Sequence, residues 1–382
     1  MSTLGVGIIG CGVISTRYLQ NAPLFKGIAV RAVADLRADA AAAQAARFKV
    51  ESVPIAELLA RKDIDIVVNL TVPDAHFEVS MRALEAGKHV YSEKPLAISA
   101  ADGRKLVEAA TRRGRQIAVA PDTILGPGHR IARQMIDDGK VGRIVAGTAS
   151  FMSRGMEHWH PQPSFYFRPG GGPVLDMGPY YITALVQLIG PVKRVVGMSG
   201  KALPERVVTA PGPNTGQRIA VDTPTSYFAV LEFEQGALVS ANMSWDVYKH
   251  GHRPLELHGL DGSLRIPDPN FFAGQVEHTE GRGEWQVRDT RGEPCSRPNH
   301  PDADPVQANY RGLGIAEMAA AIRAGRPART GAAVSQHVLE VMDGIMDAAT
   351  NGRVVTIGGG VRPPAMTEAE TRALLVDPAA TT

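Results

Sequence analysis

The chain has little of what would mark a secreted, membrane-embedded or nucleic-acid-binding protein. Two cysteines among 382 residues, Cys11 and Cys295, cannot form a framework of bridges, so the sequence reads as the product of a reducing compartment. No block of like charge interrupts a formal net charge of +2, which gives no grip to a polyanion; no nucleic-acid partner is expected. The apolar run after Met1-Ser2-Thr3 is short and has no basic leader. It supports neither a signal peptide nor a membrane-spanning helix, and the expected setting is the cytoplasm, with no membrane partner. Internal repeats and low-complexity tracts are also missing. What is present is 44% hydrophobic and 21% charged residues, a soluble globular composition too long for one ordinary core. Two or three domains are expected.

The first third alternates two textures. Short apolar runs at 6–9, 30–34, 64–70, 89–91 and 117–120 are separated by stretches of helical spacing at 38–48, 75–86 and 100–113. Strands apolar on both faces and joined by helices require a covered parallel sheet, so residues 1–122 are expected to form a doubly wound α/β domain. Beyond it, helical signals at 130–138 and 175–189 flank β-rich runs from Val192 to Pro267. Asp261-Gly262 between two apolar runs predicts a hairpin. Residues 123–358 therefore read as an α+β domain with a large, mostly antiparallel sheet. Residues 272–305 read as loops or irregular edge strands, 310–324 and 335–350 as helices, 353–357 as a last short strand, and 359–382 as an extended tail.

The first strand runs into Gly10-Cys11-Gly12-Val13-Ile14-Ser15. The first glycine permits a tight turn, and the second lets a pyrophosphate approach the backbone at Val13 and Ile14, where a helix begins. Ser15 stands at the third position of the fingerprint, where a small residue suffices. The second strand ends in Asp35, placed for the adenosine ribose hydroxyls. A carboxylate there repels a 2′-phosphate and favours NAD, although Arg37 is placed to neutralise one, which keeps NADP in view. Asp35 also suits a helix cap, and both roles can hold together.

Gly10-Cys11-Gly12, then Pro73 and His76 after the third strand, then Glu93-Lys94-Pro95 closely resemble the glucose–fructose oxidoreductase/inositol dehydrogenase/rhizopine catabolism (Gfo/Idh/MocA) family. Gly170-Gly171-Gly172-Pro173-Val174-Leu175-Asp176-Met177-Gly178 matches that family's second block. Tyr310-Arg311-Gly312 and His337-Val338-Leu339-Glu340 look like its C-terminal helices, so the resemblance spans the chain. It implies a Rossmann domain, then an α+β domain whose sheet joins subunits into a homodimer or homotetramer. The reaction it implies is reversible oxidation of a sugar or cyclitol hydroxyl by a nicotinamide cofactor. Cofactor contacts from Thr71, Pro73, His76, Glu93, Lys94 and Pro95 are implied too, with Lys94 and Asp176 facing the substrate. His76 equally suits a helix start.

This chain departs from the family one helical turn after Asp176. Relatives most often carry histidine there; position 180 is tyrosine. Residues four apart share a helix face, so Asp176 and Tyr180 can both meet the substrate. Tyrosine titrates near 10 in isolation, and a lysine ammonium or an oxidised nicotinamide beside it favours the phenolate. The alternative gives the proton to Lys94, whose pKa burial and a cationic cofactor would push down; the sequence leans to Lys94.

Further candidates surround this pair. Asp122 suits a polyol hydroxyl or a turn cap. Trp159 offers a face to a sugar ring and His160 a donor, or their loop merely covers the domain junction. Arg168, Asn309 and Tyr310 are weaker substrate candidates, and His337 reads as a packed helix residue. The His158/His160 and His250/His252 pairs lack a companion cysteine or carboxylate cluster, so no metal is assigned. A carbohydrate or polyol dehydrogenase is the leading reading. Its rivals are a redox-neutral lyase or glycoside-cleaving enzyme with transient oxidation, and a non-catalytic NAD- or sugar-sensing regulator.

Overall fold

The structure is a computed structural model, and it describes residues 3–300 and 307–382. Its first sheet contains β1 (Leu4–Ile9), β2 (Ile28–Ala34), β3 (Glu51–Ser52), β4 (Ile66–Asn69), β5 (His89–Ser92) and β6 (Ile117–Val119). They align as β3-β2-β1-β4-β5-β6, parallel throughout. Helices α1 (Val13–Asn21), α2 (Ala38–Phe48), α3 (Ile55–Ala60), α4 (His76–Glu85) and α5 (Ala100–Arg112) make the crossovers. All four residues of β4 are buried, as the unbroken apolar runs require of a sheet covered on both faces. Two exposed polar residues make up β3, which exists only through its pairing with Ala32 and Val33; no apolar pattern announces it. Because β2 and β4 flank β1, the crossovers diverge at its carboxyl end and leave a crevice there.

The second sheet is built from β7 (Ile144–Met152), β8 (Val192–Gly200), β11 (Ser226–Phe233), β12 (Leu238–Ser244), β13 (Leu255–Gly259), β14 (Gly262–Ile266), β15 (Val276–Glu280), β16 (Gln286–Arg288) and β17 (Val355–Thr356). Its order is β16-β15-β14-β13-β7-β12-β11-β8-β17, antiparallel except where β12 meets β7. The predicted Asp261-Gly262 turn joins β13 to β14. Alternate residues of β11 are buried, because helices α6 (Pro127–Asp137), α7 (Pro173–Leu188) and α9 (Ala332–Asn351) cover one face. Nearly every residue of α7 is buried.

Between β8 and β11 the chain makes an excursion, pairing β9 (Glu205–Val207) with β10 (Arg218–Ala220). It closes a small separate core of Val208, Ala210, Ile219 and Val221 on Met156, Phe167 and Trp245. The helix expected from Tyr310 begins three residues later as α8 (Leu313–Arg323), after Gly312 at φ +110°. Although the sequence groups α8 with the second domain, it packs on β2 and β6 of the first sheet. The tail differs from an extended strap: it holds α10 (Glu368–Leu374), started by a capping box of Thr367 and Glu370. Lys26 N donates to Leu374 O at 2.7 Å and Val376 N to Leu24 O at 2.9 Å, so the tail closes on the end of the first crossover. The stretch 272–305, read as loops or irregular edge strands, carries β15 and β16 as the sheet's edge; its residues 301–305 lie outside the described residues.

Candidate active site

The crevice at the carboxyl end of β1 has the shape of a dinucleotide cradle. Gly10 sits at φ +103°, and a Cβ there would lie 2.6 Å from the Leu70 carbonyl carbon, so only glycine passes. A Cβ on Gly12 would meet nothing within 4 Å, which leaves its backbone open to a ligand. No side chain caps the α1 N-terminus, whose amides favour an anion. Ser15 fills the third fingerprint position while fully buried, its hydroxyl donating to Gly12 O at 2.6 Å. Asp35 stands at the end of β2, where one carboxylate oxygen accepts from Cys11 N at 2.7 Å and the other from Arg37 N at 2.8 Å. Asp35 thus braces the glycine turn and the approach to α2. Val13 and Leu36 are more than nine-tenths exposed beside this turn, an apolar rim with no protein cover. These residues fit a dinucleotide.

His76 does not reach that cradle. It is buried, with Nδ1 2.7 Å from Pro95 O and Nε2 3.1 Å from Thr71 O, and burial pushes its pKa below the usual value. It ties the Thr71–Pro73 loop to the turn carrying Lys94, a structural role in place of the expected cofactor contact. Glu93 likewise faces inward: the Tyr18 hydroxyl donates to it at 2.8 Å, which anchors α1 to the same turn. Tyr18 carried no sequence signal beyond an apolar helix position.

Lys94 crosses the gap to the second domain. Its Nζ donates to Asp176 Oδ1 at 2.9 Å and to Asp176 O at 2.7 Å, and lies 5.2 Å from the centre of the Tyr180 ring. The two charged side chains are only 18% and 17% exposed. Asp176 and Tyr180 share a face of α7, as their spacing predicted, so the structure brings the three residues together. The expectation of a lysine pushed down in pKa is corrected here. Burial does oppose the charge, but Asp176, Tyr180 and Glu93 outweigh it and hold the ammonium above the ordinary lysine range. Lys94 is a fixed cation.

Two further residues belong to this centre. Arg311 is half-buried beside Tyr180, Glu93 and Asp122; desolvation opposes its charge, and those neighbours raise its pKa nevertheless. Its fork is aimed by Asn309 Oδ1 at 3.1 Å and Asn270 Oδ1 at 3.3 Å. Tyr166 feels Asp176, Lys94 and Tyr180; burial, followed by Asp176, pushes its phenol up, so it stays a neutral donor. Arg311 was visible only as the middle of Tyr310-Arg311-Gly312, and Tyr166 only as an aromatic ahead of the glycine block.

Other candidates fall away from the centre. Asp122 is buried and accepts from Gly312 N at 2.8 Å and Gly314 N at 3.0 Å, capping α8, so a polyol cannot reach it; burial lifts its pKa to about 6. Tyr310 is buried with its hydroxyl on Arg297 O at 2.9 Å, which removes it from substrate contact. Asn309 aims Arg311 and accepts from Asn21 and Asn299 through its carbonyl. His337 is packed as expected, accepting from Val192 N at 2.9 Å. Arg168 is exposed on the loop leading to α7, and Trp159 and His160 lie on the same loop.

A parallel sheet with a glycine turn at its switch point, facing a lysine–aspartate pair across two domains, defines a nucleotide-dependent oxidoreductase. Residues 4–120 match the oxidoreductase family with NAD-binding Rossmann fold, and residues 129–265 match the GFO/IDH/MocA C-terminal domain. The chain belongs to the Gfo/Idh/MocA family of NAD-binding oxidoreductases. It is 27% identical over 290 residues to levoglucosan dehydrogenase of Pseudarthrobacter phenanthrenivorans, covering 69% of this chain and 73% of that one. It is 33% identical over 268 residues to dTDP-3,4-didehydro-2,6-dideoxy-alpha-D-glucose 3-reductase of Saccharopolyspora spinosa, covering 68% and 74%. The solved levoglucosan dehydrogenase in complex with NADH and levoglucosan superposes with a TM-score of 0.77 at 21% identity, over 94% of this chain and all of that one. That likeness establishes the fold.

Proposed function

We propose that the protein is a dehydrogenase or reductase that moves a hydride between NAD and the carbinol carbon of a sugar, glycoside or cyclitol. The observation that carries this reading is the Lys94–Asp176 pair just beyond the carboxyl end of β5, with Tyr180 on the same helix face as Asp176. When bound, the nicotinamide supplies or accepts the hydride. The chain's task is to hold the carbon, stabilise charge on its oxygen and move one proton.

Lys94 donates to the reacting oxygen and stabilises an alkoxide there, because its charge persists at neutral pH. One proton path serves both directions: Tyr180 gives its phenolic proton to the oxygen in reduction and its phenolate takes the proton back in oxidation, while the Lys94 ammonium stabilises the charge on that oxygen. Arg311 places a positive charge next to the phenol, which compensates negative charge on that side. Asp176 orients Lys94. Against the regulatory reading stands a buried charge constellation that a mere sensor of sugar would not need. The face of β8 and β11 turned away from the helices exposes Val196, Met198, Phe228 and Val230, an apolar patch that suits a second subunit.

The test is a panel of monosaccharides, cyclitols and glycosides offered with NAD and with NADP, following absorbance of the reduced cofactor. Turnover on at least one substrate, abolished by Lys94→Ala while NAD binding survives, is expected. NAD binding without turnover anywhere would favour the sensor, and substrate conversion without net NADH the redox-neutral enzyme.

A further inference from the structure

We propose that the loop ahead of α7 forms a second sugar subsite, so that the preferred substrate is a glycoside with two rings and not a free monosaccharide. The inference rests on the dehydrogenase reading above. It starts from where the loop is fastened. Gly172 N donates to Tyr166 O at 2.9 Å, and Asp176 N donates to Gly172 O at 3.1 Å. A Cβ on Gly171 would lie 2.4 Å from Tyr166 O and 2.7 Å from Phe165 O, so the glycine block lets the aromatic turn lie directly on the helix start. The aromatic turn and the reacting carboxylate are therefore one local unit.

From that point a cluster of rings spreads outward around His160. Tyr166 and His160 have centroids 5.4 Å apart, His160 and Phe165 5.5 Å, and His160 and Trp159 5.4 Å. Tyr166 lies against the buried Trp245, whereas Trp159 is 61% and Phe165 50% exposed. Phe165 also stacks on Tyr166 at 4.1 Å, so these rings form one shelf whose inner edge, Tyr166, lies near Asp176 and whose exposed outer part is Trp159 and Phe165. A reacting ring beside Asp176 leaves a second, attached ring to rest on that outer part. His160 Nδ1 accepts from Gln162 N at 3.1 Å, which leaves Nε2–H as a donor for a hydroxyl.

The shelf is built to stay in place. Phe167 is fully buried on Trp245, and the β9–β10 excursion seals this small core. Beneath it Arg206 donates to Glu157 Oε1 at 2.7 Å and also pairs with Asp246. Thr209 N and Ala210 N both donate to Glu157 O at 2.9 Å. A loop that only covered the domain junction would not need a buried ion network to hold two exposed aromatic rings. Rigid aromatic faces with an apolar underside are what the CH face of a sugar requires.

The experiment pairs each active sugar with its methyl glycoside, its phenyl glycoside and a disaccharide carrying it at the non-reducing end, and compares kcat/KM within each set. The two-ring members are expected to exceed the methyl glycoside by roughly tenfold or more, the effect of burying one sugar face on an aromatic ring. In the Trp159→Ala/Phe165→Ala variant that ratio should fall toward one, and Trp159→Phe should keep most of it. A ratio near one in the unaltered protein, or one that survives loss of both rings, overturns the subsite while leaving the dehydrogenase reading intact. Loss of the oligomer in the double variant with an unchanged ratio overturns it as well, showing that a second copy covers the rings. No turnover on any member of any set overturns both readings.

Discussion

Replacing Asp176 with asparagine removes one charge and almost no volume, and its consequence can be worked from the geometry. At 2.9 Å and an effective dielectric of about 20, attraction between Lys94 and Asp176 is about 6 kcal/mol. Desolvation of both ions offsets much of this, and losing one partner of a buried pair typically costs roughly 3–5 kcal/mol. This pair keeps 18% and 17% exposure, and Lys94 retains the Asp176 carbonyl at 2.7 Å, so about 2–3 kcal/mol is the reasonable loss. Lys94 then loses its largest stabilising charge, and its titration moves down toward the ordinary lysine range. A raised lysine contributes stability that is complete below its unfolded value, near 10.4, and is lost only as pH rises through the folded value. The unaltered enzyme should therefore show no Lys94 limb below about pH 10, whereas Asp176→Asn should show a new alkaline limb. The assay is kcat/KM from pH 6 to 11 in both directions, with denaturant melts at pH 7. An unchanged profile with unchanged stability would refute the idea that Asp176 sets the charge of Lys94.

Three further outcomes follow from other contacts. Asp122, raised to about 6, is stabilised as the neutral acid, so its contribution is complete below its unfolded value near 4 and is lost as pH rises through 6. Asp122→Asn keeps an acceptor for Gly312 and Gly314, and urea unfolding at pH 4 and 7 should show about 2 kcal/mol less pH dependence than the unaltered protein. Arg311→Met should lower kcat by roughly 10–100-fold in steady-state assays, with Arg311→Lys restoring little, because an ammonium lacks the fork held by Asn309 and Asn270. Asp35→Ser removes the charge facing a 2′-phosphate and leaves Arg37 in place, so the NADP-to-NAD ratio of kcat/KM should rise roughly tenfold or more.

Much of the architecture was legible because it rests on local patterns. Apolar runs at 6–9 and 64–70 can be satisfied only by a doubly covered sheet, and Asp261-Gly262 by a hairpin. The glycines at 10 and 12 announce a backbone requirement that no side chain can conceal. The spacing of Asp176 and Tyr180 already put them on one helical face. What stayed illegible depends on contacts between distant segments. The two polar residues of β3 become a strand only against β2, and the tail finds its place only where Arg329 donates to Glu370 and to the carbonyls of Pro364 and Ala365.

The site divides along the same line. The residues alone already name the groups at the carboxyl edge: a glycine turn, Asp35, Lys94, Asp176 and a tyrosine in place of histidine. Their charge states come from neighbours that the folded chain brings together in space. Lys94 reads as a lysine free to lose its proton until Asp176 is found 2.9 Å away, because a pKa is set by what surrounds a group in space. The same holds for His76 and Asp122, whose partners at Pro95 and Gly312 turn two apparent ligand contacts into braces for the loops around them.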